Sequence, residues 1–141
     1  MQEPNRTMLP KMNYVIGGLE INRFGDIFSG YFSQVCIKSM GGTIRFGSPV
    51  TIHNRNSHNY FNDAANEWGG LMVLEDLLPW LTEDVDLSGS TYVENYECLS
   101  ELLQEKVENF KGKIWTDSTK AYFHQMAHYM RRWSSVCGQF Y

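Results

Sequence analysis

The stretch from Thr91 to Gly112 leaves a chain little choice but an amphipathic helix. Thr91 and Glu94 stand at capping-box spacing, where a hydroxyl and a carboxylate satisfy backbone N–H groups that the first helical turn leaves bare. Tyr92, Tyr96, Leu99, Leu103 and Val107 then recur at helical intervals, and Gly112 follows the expected end. The other side carries Glu94, Glu97, Glu101, Glu105 and Glu108. Such a helix buries one face and shows an acidic stripe on the other.

Two further helices are expected around it. One starts after a cap at Asn62 or Asp63 and runs through AANEWGGLMVLEDLLPWL. Gly69 and Gly70 each cost about 1 kcal/mol in a helix interior, which predicts a break or a close backbone contact, and Pro79 ends or bends the segment. The acidic linker that follows contains Glu83, Asp84 and Asp86 and reads as flexible. The last helix begins near Asp117, buries Tyr122, Met126, Tyr129, Trp133 and Val136 along one stripe, and stops around Gly138.

The first half reads as strands. In YVIGGLEI, Gly17-Gly18 separates two short apolar runs, a hairpin signal. A second hairpin is expected about Gly41-Gly42, setting Met40 opposite Thr43 and Ile37 opposite Phe46, with Val35 and Ile44 on the same side. That register also puts Lys38 across from Arg45, a like-charge pair that an acidic group should relieve. Strands first and helices afterwards predict an α+β fold: an N-terminal antiparallel sheet of two β-hairpins, with about three C-terminal helices packed on one face. Residues 1–12, with two prolines and no periodicity, read as a flexible arm, and residues 13–141 as one domain.

Charge narrows the functional classes. Twelve Lys and Arg against sixteen Asp and Glu leave a net charge of −4, the wrong sign for a phosphate backbone, so direct duplex nucleic-acid binding is not expected. A protein partner with a basic surface, such as a nucleic-acid-handling enzyme, fits better. Aromatic residues make up 14% of the chain, more than one small core requires, and exposed rings are common interface anchors. The N-terminus lacks the basic flank and apolar run of a secretory signal, and the longest apolar stretch is short and broken by acids. No membrane partner is expected and the localisation reads as cytoplasmic. Cys36, Cys98 and Cys137 are odd in number and widely spaced, which suggests reduced, mostly packed thiols.

Two clusters could carry chemistry. On the last helix His124 and His128 stand four apart, a spacing that can hold a metal ion. The zinc-protease pattern needs a glutamate directly after the first histidine, and Gln125 occupies that place. Lys120 and Arg131 on the same side disfavour a dication, so the plainer reading is a solvated basic face able to meet the glutamate stripe. In the polar loop 51–63, His53, Arg55, His58 and Tyr60, with Asp63, offer proton-transfer and anion-binding groups for a small hydrolase or nucleotide-binding enzyme. No nucleophile, phosphate cradle or paired-carboxylate signature accompanies them, and no cofactor motif occurs.

A short acidic chain, rich in aromatics and without a catalytic signature, resembles the broad class of small inhibitory binders that includes toxin-immunity and phage counter-defence proteins. The likeness is one of general composition and attaches to no particular residues. The expected function is therefore an interaction module that blocks a basic surface of a target enzyme through Glu94, Glu97, Glu101, Glu105 and Glu108 with Glu83, Asp84 and Asp86. The alternatives are the small hydrolase and a structural component of a larger assembly.

Overall fold

In the computed structural model, which describes residues 15–16, 19–20, 24–52, 54 and 59–140, the spacing of Phe24, Phe28, Phe32 and Cys36 decides the first half of the chain. Side chains four apart share one face of a helix. These four are all buried, and Phe24–Ser39 is a helix, α1, rather than the first strand of the expected second hairpin. Gly41-Gly42 ends that helix instead of turning a ladder. Gly41 has φ +76°, its N–H bonds the Lys38 carbonyl at 2.9 Å, and the Gly42 N–H bonds the Ile37 carbonyl at 2.9 Å. This pair of bonds is the Schellman closure. A glycine pair serves a hairpin turn and a helix stop equally well, because both need positive φ; the apolar period upstream distinguishes them. The Lys38–Arg45 opposition disappears with the ladder, and Lys38 lies in the last turn of α1, where its charge favours the carbonyl end.

The expected α+β architecture is thus corrected to a helical one. The β pairing among the described residues is two residues long: Val15–Ile16 (β1) runs antiparallel to Leu19–Glu20 (β2), with Ile16 opposite Leu19. β1 lies against the last helix and β2 against the second, so this short ladder is packed between helices and is no sheet for them to cover. The arm expected at 1–12 lies outside the described residues.

Tyr60–Pro79 forms α2, whose N-cap is Asn59, with Oδ1 accepting the N–H groups of Phe61 and Asn62. Gly69-Gly70 does not break it. A Cβ at Gly70 would sit 2.2 Å from Cγ of Phe24, so the missing side chain is what lets the Phe24 ring lie on the α2 backbone. After Pro79, which cannot donate a helical N–H, the chain widens into one π-helical turn, Trp80–Asp84, closed by the Val85 N–H on the Trp80 carbonyl. Buried Leu87 and half-buried Val85 pin the acidic linker down.

Tyr92–Asn109 is α3, with the Thr91–Glu94 capping box formed in both directions. Asp117–Cys137 is α4, capped by Thr116. Its buried stripe is rotated from the expected one: Thr119, Tyr122, Phe123, Met126, Ala127, Met130 and Ser134 face inward, whereas Trp133 and Tyr129 are half-buried and Val136 is exposed. Trp133 instead packs edge-on against Tyr92 and Tyr96 at 5.9 and 5.3 Å.

The core is one cluster fed by all four helices. Phe24, Phe28, Tyr122 and Phe123 meet at tilted and edge-to-face angles in its middle, an arrangement that suits the ring quadrupoles. The polar side chains of the fully buried residues Asn95, Ser100, Thr119 and Ser134 are hydrogen-bonded, as burial demands. Asn95 exchanges hydrogen bonds with the Gly89 backbone, Thr119 donates to the Ile114 carbonyl, and Tyr92 donates to Ser33 Oγ across α1 and α3. Among the described residues, no helix is long and apolar enough to cross a membrane.

Candidate functional site

The acidic stripe of α3 is exposed along its length, but its members do different things. Glu94 is consumed at the N-terminus, where Oε2 accepts the N–H groups of Ser90 at 2.7 Å and Thr91 at 3.1 Å. Glu108 is consumed at the other end. Its Oε1 meets Nε2 of His124, and Lys120 Nζ lies 3.5 Å from Oε2 while donating to the Glu108 carbonyl at 3.0 Å. The His124 hydrogen bond, followed by the Lys120 charge, holds the Glu108 carboxyl below its ordinary value.

Between those ends, Glu97, Glu101 and Glu105 stand in a row at intervals of four residues, about 6 Å of axial rise. All three are exposed, and none enters an ion pair among the described residues. Like charges four apart on a helix each cost about 0.2–0.5 kcal/mol. The stripe therefore does not help α3 to form. Of the linker acids, Asp84 pairs with Lys106 at 3.4 Å, whereas Glu83 and Asp86 are exposed and carry no such pair among the described residues.

The basic face expected on α4 is turned onto the same seam. Lys120 and His124 are taken by Glu108, and Arg131 Nη1 reaches Ser100 Oγ of α3 at 3.4 Å. His128 is exposed. Nε2 of His124 is engaged by Glu108 and Nδ1 is buried, so its ring nitrogens face α3 and the protein interior. Among the described residues no three His, Cys, Asp or Glu side chains gather closely enough to hold a metal ion. Of the polar-loop residues, Tyr60 is exposed at the start of α2, and His53, Arg55 and His58 lie outside the described residues.

Sequence reasoning missed a second surface. α2 is apolar on two opposite faces: Gly70, Val73, Leu74 and Leu77 turn inward, while Phe61 (87% exposed), Trp68 (57%) and Leu71 (47%) turn outward with Ala64 and Ala65. An apolar stripe on the outward side of a helix whose other side is already buried is surface that a partner could cover. The outward period was readable from positions 61, 64, 68 and 71, but the glycine pair drew attention to a break instead. Upstream, Phe46 (99%), Val50 (98%) and Ile52 (91%) are almost wholly exposed, and Gly42 to Ile52 runs without helix, ladder, turn or bend.

What the geometry offers is binding chemistry: a row of carboxylates without an ion pair among the described residues, and large apolar side chains exposed on α2 and on the segment before it. Compared with known proteins, the sequence matches no family model and no curated relative.

Proposed function

We propose that the chain is a small cytoplasmic interaction module, an inhibitor of the immunity or counter-defence kind, whose α3 ridge occupies a basic surface on a target enzyme that itself handles nucleic acid. One observation carries the reading: Glu97, Glu101 and Glu105 form an exposed row that no cation of the described fold pairs with, although Lys120 and His124 engage Glu108 and Lys106 engages Asp84. A row that costs the helix stability and is left unpaired is explained by charge supplied from outside. Glu83 and Asp86 extend it; Glu94, Asp84 and Glu108 are engaged by groups of the same chain and contribute background potential rather than contacts.

For the hydrolase alternative, the described residues supply Tyr60, on an exposed helix end. The test is capture of partners from the native host with the wild-type chain and with a Glu97→Lys, Glu101→Lys, Glu105→Lys triple variant. The expected result is a basic protein retained by the first and lost by the second, with an association rate that falls steeply as salt rises. A partner retained equally by both, with the same salt dependence, would remove the ridge from the interface.

A further inference from the structure

Residues 43 to 52 read Thr-Ile-Arg-Phe-Gly-Ser-Pro-Val-Thr-Ile, with apolar side chains on every even position except Ser48 at the centre. In an extended chain alternate residues share a face, so Ile44, Phe46, Val50 and Ile52 would form one apolar edge arranged symmetrically about Ser48. Three of these side chains, Phe46, Val50 and Ile52, are almost wholly exposed, and Ile44 is partly so. We propose that this segment pairs antiparallel with the same segment of a second copy of the chain, across a two-fold axis at Ser48, and that the resulting ribbon seats its apolar face on the outward stripe of α2.

The register follows from the residues. With Ser48 opposite itself, Phe46 of one copy faces Val50 of the other, Ile44 faces Ile52, and Arg45 faces Thr51, so no like charges are opposed. A slip of one residue sets apolar against polar side chains along the whole ladder. A slip of two sets Phe46 against Ser48 and leaves the Ile52 of each copy facing Gly42. Pro49 narrows the choice further, because it has no N–H to give. In an antiparallel pair hydrogen-bonded and non-bonded positions alternate, and making Ser48 a bonded position puts Pro49 and Gly47 at a non-bonded one. The missing donor then points away from the second copy and blunts the ribbon's outer edge against further strands.

A foreign sheet edge would not require this palindrome; a copy of the same chain does. An isolated two-stranded ribbon is marginal in water and needs a surface beneath it. The Phe61, Trp68 and Leu71 stripe provides one. Phe46 and Phe61 each remove about 150–250 Å² when covered. With Val50, Ile52, Trp68 and Leu71 this brings each copy to the roughly 800 Å² that a stable interface buries per partner.

Sedimentation of the full chain over a wide concentration range should show a species of about twice the 16.3 kDa of one chain. Phe46→Asp and Val50→Asp should each abolish it while leaving far-ultraviolet circular dichroism unchanged, because neither side chain supports the monomer. Ser48→Cys, with Cys98 and Cys137 replaced by serine, should cross-link rapidly on mild oxidation, since directly opposed bonded residues have Cα atoms about 5.5 Å apart, within disulfide reach. Thr43→Cys in the same background should cross-link far more slowly. A chain monomeric at every concentration would overturn the proposal and hand the surface to a different partner. A dimer indifferent to Phe46→Asp, or one in which Ser48→Cys cross-links no faster than Thr43→Cys, would overturn it equally.

Discussion

Glu108 shows how much a single surface residue can organise. Its carboxylate draws Lys120 and His124 to the carbonyl end of α3, joining the end of one helix to the start of the next. Because its folded-state pKa is depressed, the stabilisation is fully present above the ordinary carboxylate range and is lost as pH falls through the lowered value. Glu108→Gln removes that dependence. Between about pH 5 and 3 the wild-type melting temperature should therefore fall more steeply than that of the variant. Parallel melting curves would mean that the pair contributes nothing in solution. The acidic stripe itself was legible in the sequence, since every glutamate in it follows from a 3.6-residue period. What sequence could not supply was the partition of the stripe into a capping residue, a seam residue and three unpaired ones, because that depends on where α4 begins and which way it faces.

At the scale of elements, α3 and α4 were written in local chemistry: caps at Thr91 and Thr116, a stop at Gly138, and apolar residues at helical intervals between them. α1 was hidden because two periods coexist in the same residues. Val35 and Ile37 alternate like a strand, whereas Phe24, Phe28, Phe32 and Cys36 repeat like a helix, and the larger buried volume of the second set wins. Two glycine substitutions separate the readings. Gly30 lies inside α1, exposed, with nothing within 4 Å of an added Cβ, so Gly30→Ala should stabilise the protein by about 1 kcal/mol through helix propensity alone. Gly70→Ala gains the same propensity yet drives a methyl group into the fully buried Phe24 ring, and overpacking of this kind costs roughly 1–3 kcal/mol or more. Urea denaturation midpoints should move in opposite directions. Two shifts of the same sign would contradict the packing of α1 on α2.

The whole molecule divides its labour between an aromatic interior and two outward surfaces. Phe24, Phe28, Phe32, Tyr96, Trp115, Tyr122 and Phe123 account for much of the aromatic excess inside the core. Phe46, Tyr60, Phe61, Trp68 and Phe140 stand exposed outside it. Composition revealed the excess but not its division, because a ring's period along one element does not say whether a second element arrives to cover it. Cys36 is fully buried on the face of α1 that meets α3, and burial pushes its thiol up to about 12, while Cys98 and Cys137 are half-buried. The chain therefore carries its own clock for opening. With an alkylating reagent near neutral pH, two thiols should be consumed quickly, and the third should wait until α1 swings away, reacting at a rate that rises with added urea as the open population rises. Three thiols consumed together would mean that α1 detaches as readily as the surface breathes.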